Sequence, residues 1–118
     1  MEPKSGFRIE MDSLGELEVP AEAYYGVNVA RALENFPISR RKIHPKMVEA
    51  YCRIKRAAAE VNMRAGRLPA DKAKAIQQAA DEVLAGRLRD QFVVDMIQAG
   101  AGTSTNMNVN EVLSYIPI

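Results

Sequence analysis

The sequence predicts a mainly α-helical domain that begins with a β-hairpin or an extended arm. Apolar and polar side chains alternate over residues 7–19, which is the period of a strand. Over residues 45–65 and 71–85 the apolar side chains instead recur every three or four positions, which is the period of a helix. A chain of 118 residues has room for one domain of this kind.

The predicted hairpin lies near the N-terminus. Phe7, Ile9 and Met11 share one parity, and the alternation resumes at Leu17 after Gly15. A period of two that is interrupted by a glycine is typical of two short antiparallel strands joined by a turn. Because an isolated hairpin is only marginally stable in water, we expect this one to lie against another part of the molecule.

The first helix is expected to open at Pro20, with Glu22 in its first turn, and to end before Pro37. Its apolar positions repeat at helical spacing from Tyr24 to Leu33. The sequence therefore predicts that this helix presents one apolar face to the rest of the domain.

The strongest helical pattern begins at Pro45 and continues to about residue 65, where Gly66 is a natural stop. A short connector leads to another helical pattern between Asp71, which can cap or charge the N-terminus, and Gly86. Two helices joined by about four residues predict an antiparallel helical hairpin. The predicted apolar stripe of the longer helix consists of Met47, Tyr51, Ile54, Ala58 and Val61.

Composition and charge exclude several classes of partner. Sixteen Lys and Arg against fifteen Asp and Glu give a net charge of +1, which offers no electrostatic support for a nucleic-acid or anionic-membrane partner. No run of about 18 apolar residues is present, so nothing is predicted to span a bilayer. The single cysteine, Cys52, can form no internal disulfide, and we expect a soluble protein of the reducing cytoplasm.

The segment from Gly100 to Asn110 is the main candidate for a functional site. An apolar, β-branched run at residues 92–97 resembles a strand, and glycines and hydroxyl-bearing residues follow it abruptly. If a helix begins near Asn106, its unpaired N–H groups and positive dipole end point at the same place. Such a pocket of neutral donors suits a carboxylate or a phosphate. The same residues are also consistent with Ser104 or Thr105 simply capping the helix.

The sequence gives little support for a nucleotide-binding motif or for another catalytic arrangement. No GxxxxGK[ST] string occurs, which excludes a Walker-type site. Gly100 and Gly102 follow an apolar run, but Thr105 occupies the third glycine position of the dinucleotide fingerprint. His44 is expected to lie at the surface or to cap a helix, and Cys52 to be a small buried hydrophobe. No set of base, acid and electrophile can be assembled from these residues.

Several strings of the chain resemble the aspartase/fumarase superfamily, and together they cover residues 8 to about 113. The most specific of them is GAGTSTNMNVNEV at residues 100–112. The resemblance implies the fold of the first domain of that superfamily. The other strings are Arg8-Ile9-Glu10, Asp12-Ser13-Leu14-Gly15, Val19-Pro20, Ala23-Tyr24-Tyr25-Gly26, Arg31-Ala32, Glu34-Asn35-Phe36-Pro37-Ile38, Ala79-Ala80-Asp81-Glu82-Val83 and Asp90-Gln91-Phe92.

Within that superfamily the sequence is most similar to the aspartate ammonia-lyases. GAGTS followed by NMN is their form of the motif, whereas class II fumarases usually carry GSGTQ or GSGTT, so Ala101 and Ser104 discriminate between them. The resemblance implies reversible deamination of L-aspartate to fumarate and ammonia. In this reaction a base removes a Cβ proton, and hydrogen-bond donors hold the resulting carbanion as an aci-carboxylate.

The resemblance implies substrate-binding roles for Gly102, Thr103 and Ser104, whose loop contacts the substrate dicarboxylate in the family. Asn106 and Asn108 are supporting candidates. No catalytic residue is implied in this chain, because the serine loop that supplies the base lies beyond it in family members. No cofactor is implied and no metal ligand is visible, although a divalent cation activates some members of the family.

The resemblance also implies an incomplete enzyme. Family members are several times longer, so residues 1–118 are expected to be the N-terminal lyase domain without the central helical bundle and the C-terminal domain. Family active sites are assembled from three subunits of a homotetramer, so the 118-residue chain alone is expected to be inactive. A class II fumarate hydratase fragment and a noncatalytic truncated helical module are the alternatives.

Overall fold

The structure, a computed structural model, describes residues 2–117 and confirms a mainly helical fold with an N-terminal hairpin. Within this range a two-stranded antiparallel sheet precedes four α-helices and one short 3-10 helix. The elements are β1 (Phe7–Asp12), β2 (Gly15–Pro20), α1 (Val27–Asn35), α2 (Pro45–Arg64), α3 (Ala70–Leu84), the 3-10 helix (Arg89–Gln91) and α4 (Thr103–Tyr115).

The hairpin has the predicted position, and its register pairs Phe7 with Pro20 and Asp12 with Gly15. Gly15 has a φ of 121°, a conformation that costs glycine little because it has no Cβ. As expected, the hairpin packs against another element. Arg31 of α1 donates two hydrogen bonds of 2.8 Å to the Asp12 carboxylate, and this contact lowers the pKa of that carboxyl.

Helix α1 begins at Val27, so the expectation of a helix that opens at Pro20 is wrong. Residues 21–26, which follow the last residue of β2, form irregular turns instead. Four carbonyl groups between residues 20 and 25 are held by the Arg8 guanidinium, so they do not serve as acceptors for a helix. Arg8 donates hydrogen bonds of 2.8–3.1 Å to the carbonyl oxygens of Pro20, Ala21, Ala23 and Tyr25.

Helix α2 has the predicted bounds, but its buried face is not the predicted stripe. Met47, Ile54 and Val61 are 50%, 59% and 64% exposed. The contact with α3 is made by smaller side chains, because alanines on α3 allow the two helices to approach closely. The buried side chains of these two helices are Val48, Cys52, Ala59, Ala73, Ala79, Ala80 and Val83.

The helical hairpin of α2 and α3 is antiparallel, as predicted. Arg56 of α2 pairs with Asp81 of α3, whereas Glu60, further along α2, accepts a hydrogen bond from Gln77, which lies earlier in α3. Helix α4 contacts both of these helices as well as α1. The core therefore lies where α2, α3 and α4 meet, and it includes Val48, Cys52, Val83, Phe92, Val109 and Val112.

Residues 92–97 are an extended connector, so their resemblance to a strand is only partly correct. An isolated bridge pairs Asp95 with Lys42 of the loop between α1 and α2. The Asp95 carboxylate accepts hydrogen bonds from the Ser39 hydroxyl and from the backbone N–H groups of Ser39, Arg40 and Ile97. These bonds, led by that of the Ser39 hydroxyl, hold the pKa of Asp95 well below its ordinary value. The connector is thereby anchored to the loop.

Candidate functional site

The candidate site is formed at the start of α4. This helix begins at Thr103, three residues before the start that the sequence predicts at Asn106. Gly102 precedes it with a φ of 71°, and its N–H donates a 3.0 Å hydrogen bond to the carbonyl of Ala99, which closes the turn. Thr103 and Ser104 therefore lie within the first turn of α4. The residue that precedes the helix is Gly102, which has no side chain to cap it, and Ser104 and Thr105 both lie inside the helix, so the alternative of Ser104 or Thr105 as a simple cap is wrong.

The first turn of α4 presents hydrogen-bond donors that the described part of the protein does not use. Within residues 2–117, the backbone N–H and hydroxyl groups of Thr103 and Ser104 have no partner. The next residue differs, because Gln98 accepts a 3.0 Å hydrogen bond from the Thr105 N–H and donates one of 2.6 Å to its hydroxyl. The helix dipole adds a partial positive charge at the same place. This arrangement suits a carboxylate or a phosphate.

Two side chains of α2 lie beside this turn, although the sequence does not assign them to the site. The Lys55 ammonium donates a 2.6 Å hydrogen bond to the Asn106 side-chain oxygen. The Tyr51 hydroxyl lies 3.9 Å from the position that a Cβ on Gly102 would occupy. The two residues are four apart and so share one face of the helix. A lysine beside an otherwise apolar stripe is the signal that could have identified this neighbour.

Asn108 lies in a different environment from the other predicted site residues. It is fully buried, and its side-chain oxygen accepts hydrogen bonds of 3.0 and 3.4 Å from the N–H groups of Val93 and Val94. Its amide donates a 3.0 Å bond to the carbonyl of Gln91. This placement favours a structural role, in which Asn108 holds the extended connector, over a supporting role in substrate binding. Its spacing from Thr105 and Val112 already indicates the buried face of α4.

The expectations for the two residues outside this segment are confirmed. His44 caps α2, because its Nδ1 accepts a 3.0 Å hydrogen bond from the Lys46 N–H. Cys52 is buried, and burial raises the pKa of its thiol to about 11. The thiol is therefore protonated at neutral pH and is not a nucleophile.

The described residues 2–117 contain neither a cluster of metal ligands nor a helix that could cross a membrane. No group of three or more His, Cys, Asp or Glu side chains in this range could hold a metal ion. No helix in the same range is long and apolar enough to cross a membrane. The expectation that the activity needs no cofactor stays a prediction.

The helical fold, its N-terminal hairpin and the motif at the start of α4 define a domain of lyase type. A family model described as "Lyase" matches residues 15–117, and the chain belongs to this family. Aspartate ammonia-lyases from Pseudomonas aeruginosa and Bacillus subtilis are 51% and 53% identical over 100% and 91% of the chain. A class II fumarate hydratase from Halobacterium salinarum is 51% identical over 92%. The chain spans 22–25% of the length of these curated relatives.

Solved structures show the same fold. A fumarate lyase/delta crystallin from Brucella melitensis superposes with a TM-score of 0.87 at 47% identity, over 91% of this chain and 25% of that one. A class II fumarase from Schistosoma mansoni gives a TM-score of 0.88 at 42% identity, over 92% of this chain and 23% of that one. The expected membership of the aspartase/fumarase superfamily is thereby confirmed.

Proposed function

We propose that this chain is part of an aspartate ammonia-lyase, which converts L-aspartate reversibly to fumarate and ammonia, and that the first turn of α4 binds a substrate carboxylate. The observation that carries the proposal is the set of unused donors on Thr103 and Ser104. It is supported by relatives with this activity in their names, which are 51–53% identical. The complete enzyme would be a cytoplasmic homotetramer, and the 118-residue chain alone would be inactive.

The chemistry of the elimination explains why such donors are useful. A base takes a proton from Cβ, the electron pair of that C–H bond forms the new double bond, and the Cα–N bond breaks as ammonia leaves. Before the C–N bond breaks, negative charge spreads onto the carboxylate that is attached to Cβ. Donors that are already aimed at this carboxylate stabilise the charge without having to reorganise.

The residues of this chain would contribute binding and orientation rather than proton transfer. The N–H and hydroxyl groups of Thr103 and Ser104 would bind the carboxylate, and Gly102 would allow the close approach of the backbone. Asn106 would support the site through the ammonium of Lys55, which adds a positive charge beside the first turn. The base would come from a part of the enzyme outside this chain.

A class II fumarate hydratase is the second candidate, because the Halobacterium salinarum relative is 51% identical to this chain. In that reaction water replaces ammonia as the leaving group, whereas the dicarboxylate is similar. Ala101 and Ser104 favour the ammonia-lyase, since class II fumarases usually have other residues at these two positions of the motif.

Two chimaeric enzymes would test the proposal. In one, this chain replaces the matching segment of the Bacillus subtilis aspartate ammonia-lyase, and in the other it replaces that of the Halobacterium salinarum fumarate hydratase. Formation of fumarate from L-aspartate or L-malate is followed by its ultraviolet absorbance. We expect substantial activity in the first chimaera and much less in the second. The reverse result would favour the hydratase.

Substitutions of Thr103 and Ser104, with Ser114 as the matched control, would test the role of the first turn of α4. In the active chimaera, Ser104→Ala should lower kcat/KM for aspartate about tenfold or more, and Thr103→Val about 100-fold, because each removes a donor to the developing charge. Ser114→Ala, at the other end of α4, should leave kcat/KM unchanged. A folded chimaera in which all three variants behave alike would contradict the proposed binding role.

A further inference from the structure

Gln98 holds the first turn of α4 through its side-chain amide, although it lies outside that helix. Its oxygen accepts a 3.0 Å hydrogen bond from the Thr105 N–H, and its nitrogen donates one of 2.6 Å to the Thr105 hydroxyl. The same nitrogen donates a 2.9 Å hydrogen bond to the carbonyl of Asp95. The amide thus uses its acceptor and both of its donors, which fixes its orientation.

The other end of this contact is anchored in the fold. Asp95 lies on the extended connector, and its carboxylate is bonded to the loop between α1 and α2. Asp95 is 9% exposed and Thr105 is 6% exposed, and Gln98 between them is half-buried. Side chains that are locked in this way hold a neighbouring site in a fixed geometry. The position of the first turn of α4 therefore depends on Gln98.

Gln98 also determines which backbone donors at the start of α4 stay free. An α-helix leaves its first N–H groups without partners inside the helix. Gln98 accepts from that of Thr105, a role that the preceding Gly102 cannot fill because it has no side chain. The N–H groups of Thr103 and Ser104 are left, and these are the donors proposed to bind the substrate carboxylate.

The start of α4 differs in charge from the start of α1. At α1 the Glu111 carboxylate accepts hydrogen bonds from three N–H groups, so a negative charge already occupies the positive end of that helix. At α4 the accepting side chain is the neutral amide of Gln98, and the first turn contains no Asp or Glu. The start of α4 is thus held in place without being neutralised.

We propose that Gln98 is a positioning residue for carboxylate binding, an inference that rests on the proposed function. Through Thr105 it fixes the first turn of α4, and as a neutral amide it leaves the positive end of that helix to the substrate. A glutamate at this position could accept from the same N–H, but it would add a negative charge beside the substrate carboxylate. A methionine, which is of similar length, would release Thr105 without adding charge.

The stability of the 118-residue chain should rank these two substitutions in one order. Gln98→Glu keeps an acceptor for both the N–H and the hydroxyl of Thr105, and the helix dipole favours a negative charge there. Gln98→Met removes every hydrogen bond of the amide. The midpoint of urea denaturation should therefore fall less in Gln98→Glu than in Gln98→Met.

The affinity for a dicarboxylate should rank them in the opposite order. The probe is succinate, which has no leaving group, and its Kd is measured by calorimetry on the Bacillus subtilis chimaera. We expect Kd to rise about tenfold in Gln98→Glu, because like charges repel. It should rise about threefold in Gln98→Met, because the donors are only displaced. Loss of folded molecules would lower the stoichiometry but not the affinity.

Gln91→Met is the matched control. Gln91 is also half-buried, and its amide accepts a 2.8 Å hydrogen bond from the Tyr24 N–H, so it too joins distant parts of the chain. Its side chain has no hydrogen bond to the first turn of α4. The variant should lower the urea midpoint but change the Kd of succinate less than about twofold.

Three outcomes would overturn the inference: an unchanged Kd in Gln98→Glu, an equal rise in Gln91→Met, and affinities that follow the stabilities of the two Gln98 variants. If Gln98→Met does not fold, the Kd values of Gln98→Glu and Gln91→Met decide. If Thr103→Val and Ser104→Ala weaken succinate binding while the Gln98 variants do not, this inference fails alone. If the unsubstituted chimaera binds no succinate, the proposed function fails and this inference fails with it.

Discussion

The two sides of the molecule are held together by different kinds of contact. On one side, the hairpin, residues 21–26 and α1 are tied to one another and to α4 by charged side chains that bond to the backbone. On the other side, α2 and α3 pack through small apolar side chains. The difference shows that charged side chains bond to the backbone where the backbone is irregular, whereas those of α2 and α3 bond to other side chains.

Glu111 of α4 is the centre of the polar side. Its carboxylate accepts hydrogen bonds of 2.9–3.0 Å from the N–H groups of Gly26, Asn28 and Val29, which are the unpaired donors at the start of α1. Gly26 supplies no side-chain cap, so a residue 85 positions away does so instead. Arg8 donates hydrogen bonds to carbonyl groups of the segment that precedes α1.

The backbone explains why the two sides differ. Helices satisfy their own N–H and C=O groups, so α2 and α3 need only to bury apolar surface. Residues 21–26 form no helix or strand, so most of their N–H and C=O groups lack a backbone partner, and buried backbone groups without partners are costly. The charged side chains of Arg8, Glu10 and Glu111 supply these partners. The stability of the polar side should therefore be sensitive to small displacements of its charged side chains. The stability of the apolar side should be sensitive to loss of side-chain volume in the core.

Gly26→Ala should disrupt the contacts of the polar side and cause the largest loss of stability. A Cβ at this position would lie 2.6 Å from Glu10 Oε1 and 2.8 Å from Glu111 Oε2. Both carboxylates would have to move away from the backbone N–H groups that they accept from. We expect the free energy of unfolding to fall by about 3 kcal/mol, because several donors would lose their acceptor. Urea denaturation of the chain would measure this change.

Gly100→Ala is the matched control for that substitution. A Cβ on Gly100 would meet no atom within 4 Å, and Gly100 is not among the glycines with positive φ. Its unfolding free energy should therefore stay within about 0.5 kcal/mol of that of the unsubstituted chain. Equal loss in the two variants would show that the close approach of the carboxylates to Gly26 is not what the stability depends on.

Alanine substitutions of two valines of α2, one buried and one exposed, would test how far stability on the apolar side depends on buried volume. Val48 is 2% exposed and Val61 is 64% exposed, although the sequence predicts Val61 in the apolar stripe. Val48→Ala should lower the unfolding free energy by about 2 kcal/mol, because it leaves a cavity in the core. Val61→Ala should change it by less than about 0.5 kcal/mol. A larger loss of unfolding free energy in Val61→Ala would instead support the apolar stripe that the sequence predicts for α2.

The sequence predicts the bounds of the helices and strands better than it predicts which face of each helix is buried, and the reason is physical. The bounds of the hairpin, α2 and α3 follow from local periodicity. The start of α1 does not, because it depends on Arg8 and Glu111, which are distant in sequence. At the site, the motif identifies the first turn of α4, but the different positions of Asn106 and Asn108 follow from the register of that helix. Lys55 reaches the site only through the packing of α2 on α4.

The contact of Asp95 with the loop between α1 and α2 should weaken in acid, and it provides the smallest and most specific test. The fold lowers its pKa below the ordinary value of 3.8, so its stabilising contribution is present above that pH and is lost as the pH falls through the lower folded value. We expect the unfolding free energy to fall with pH below about 4, and to fall less steeply in Asp95→Asn. Ser39→Ala, which removes the hydroxyl donor alone, should lie between the two. Urea midpoints at several pH values would measure the slopes. Equal slopes in all three proteins would mean that the contact of Asp95 with the α1–α2 loop does not govern acid stability.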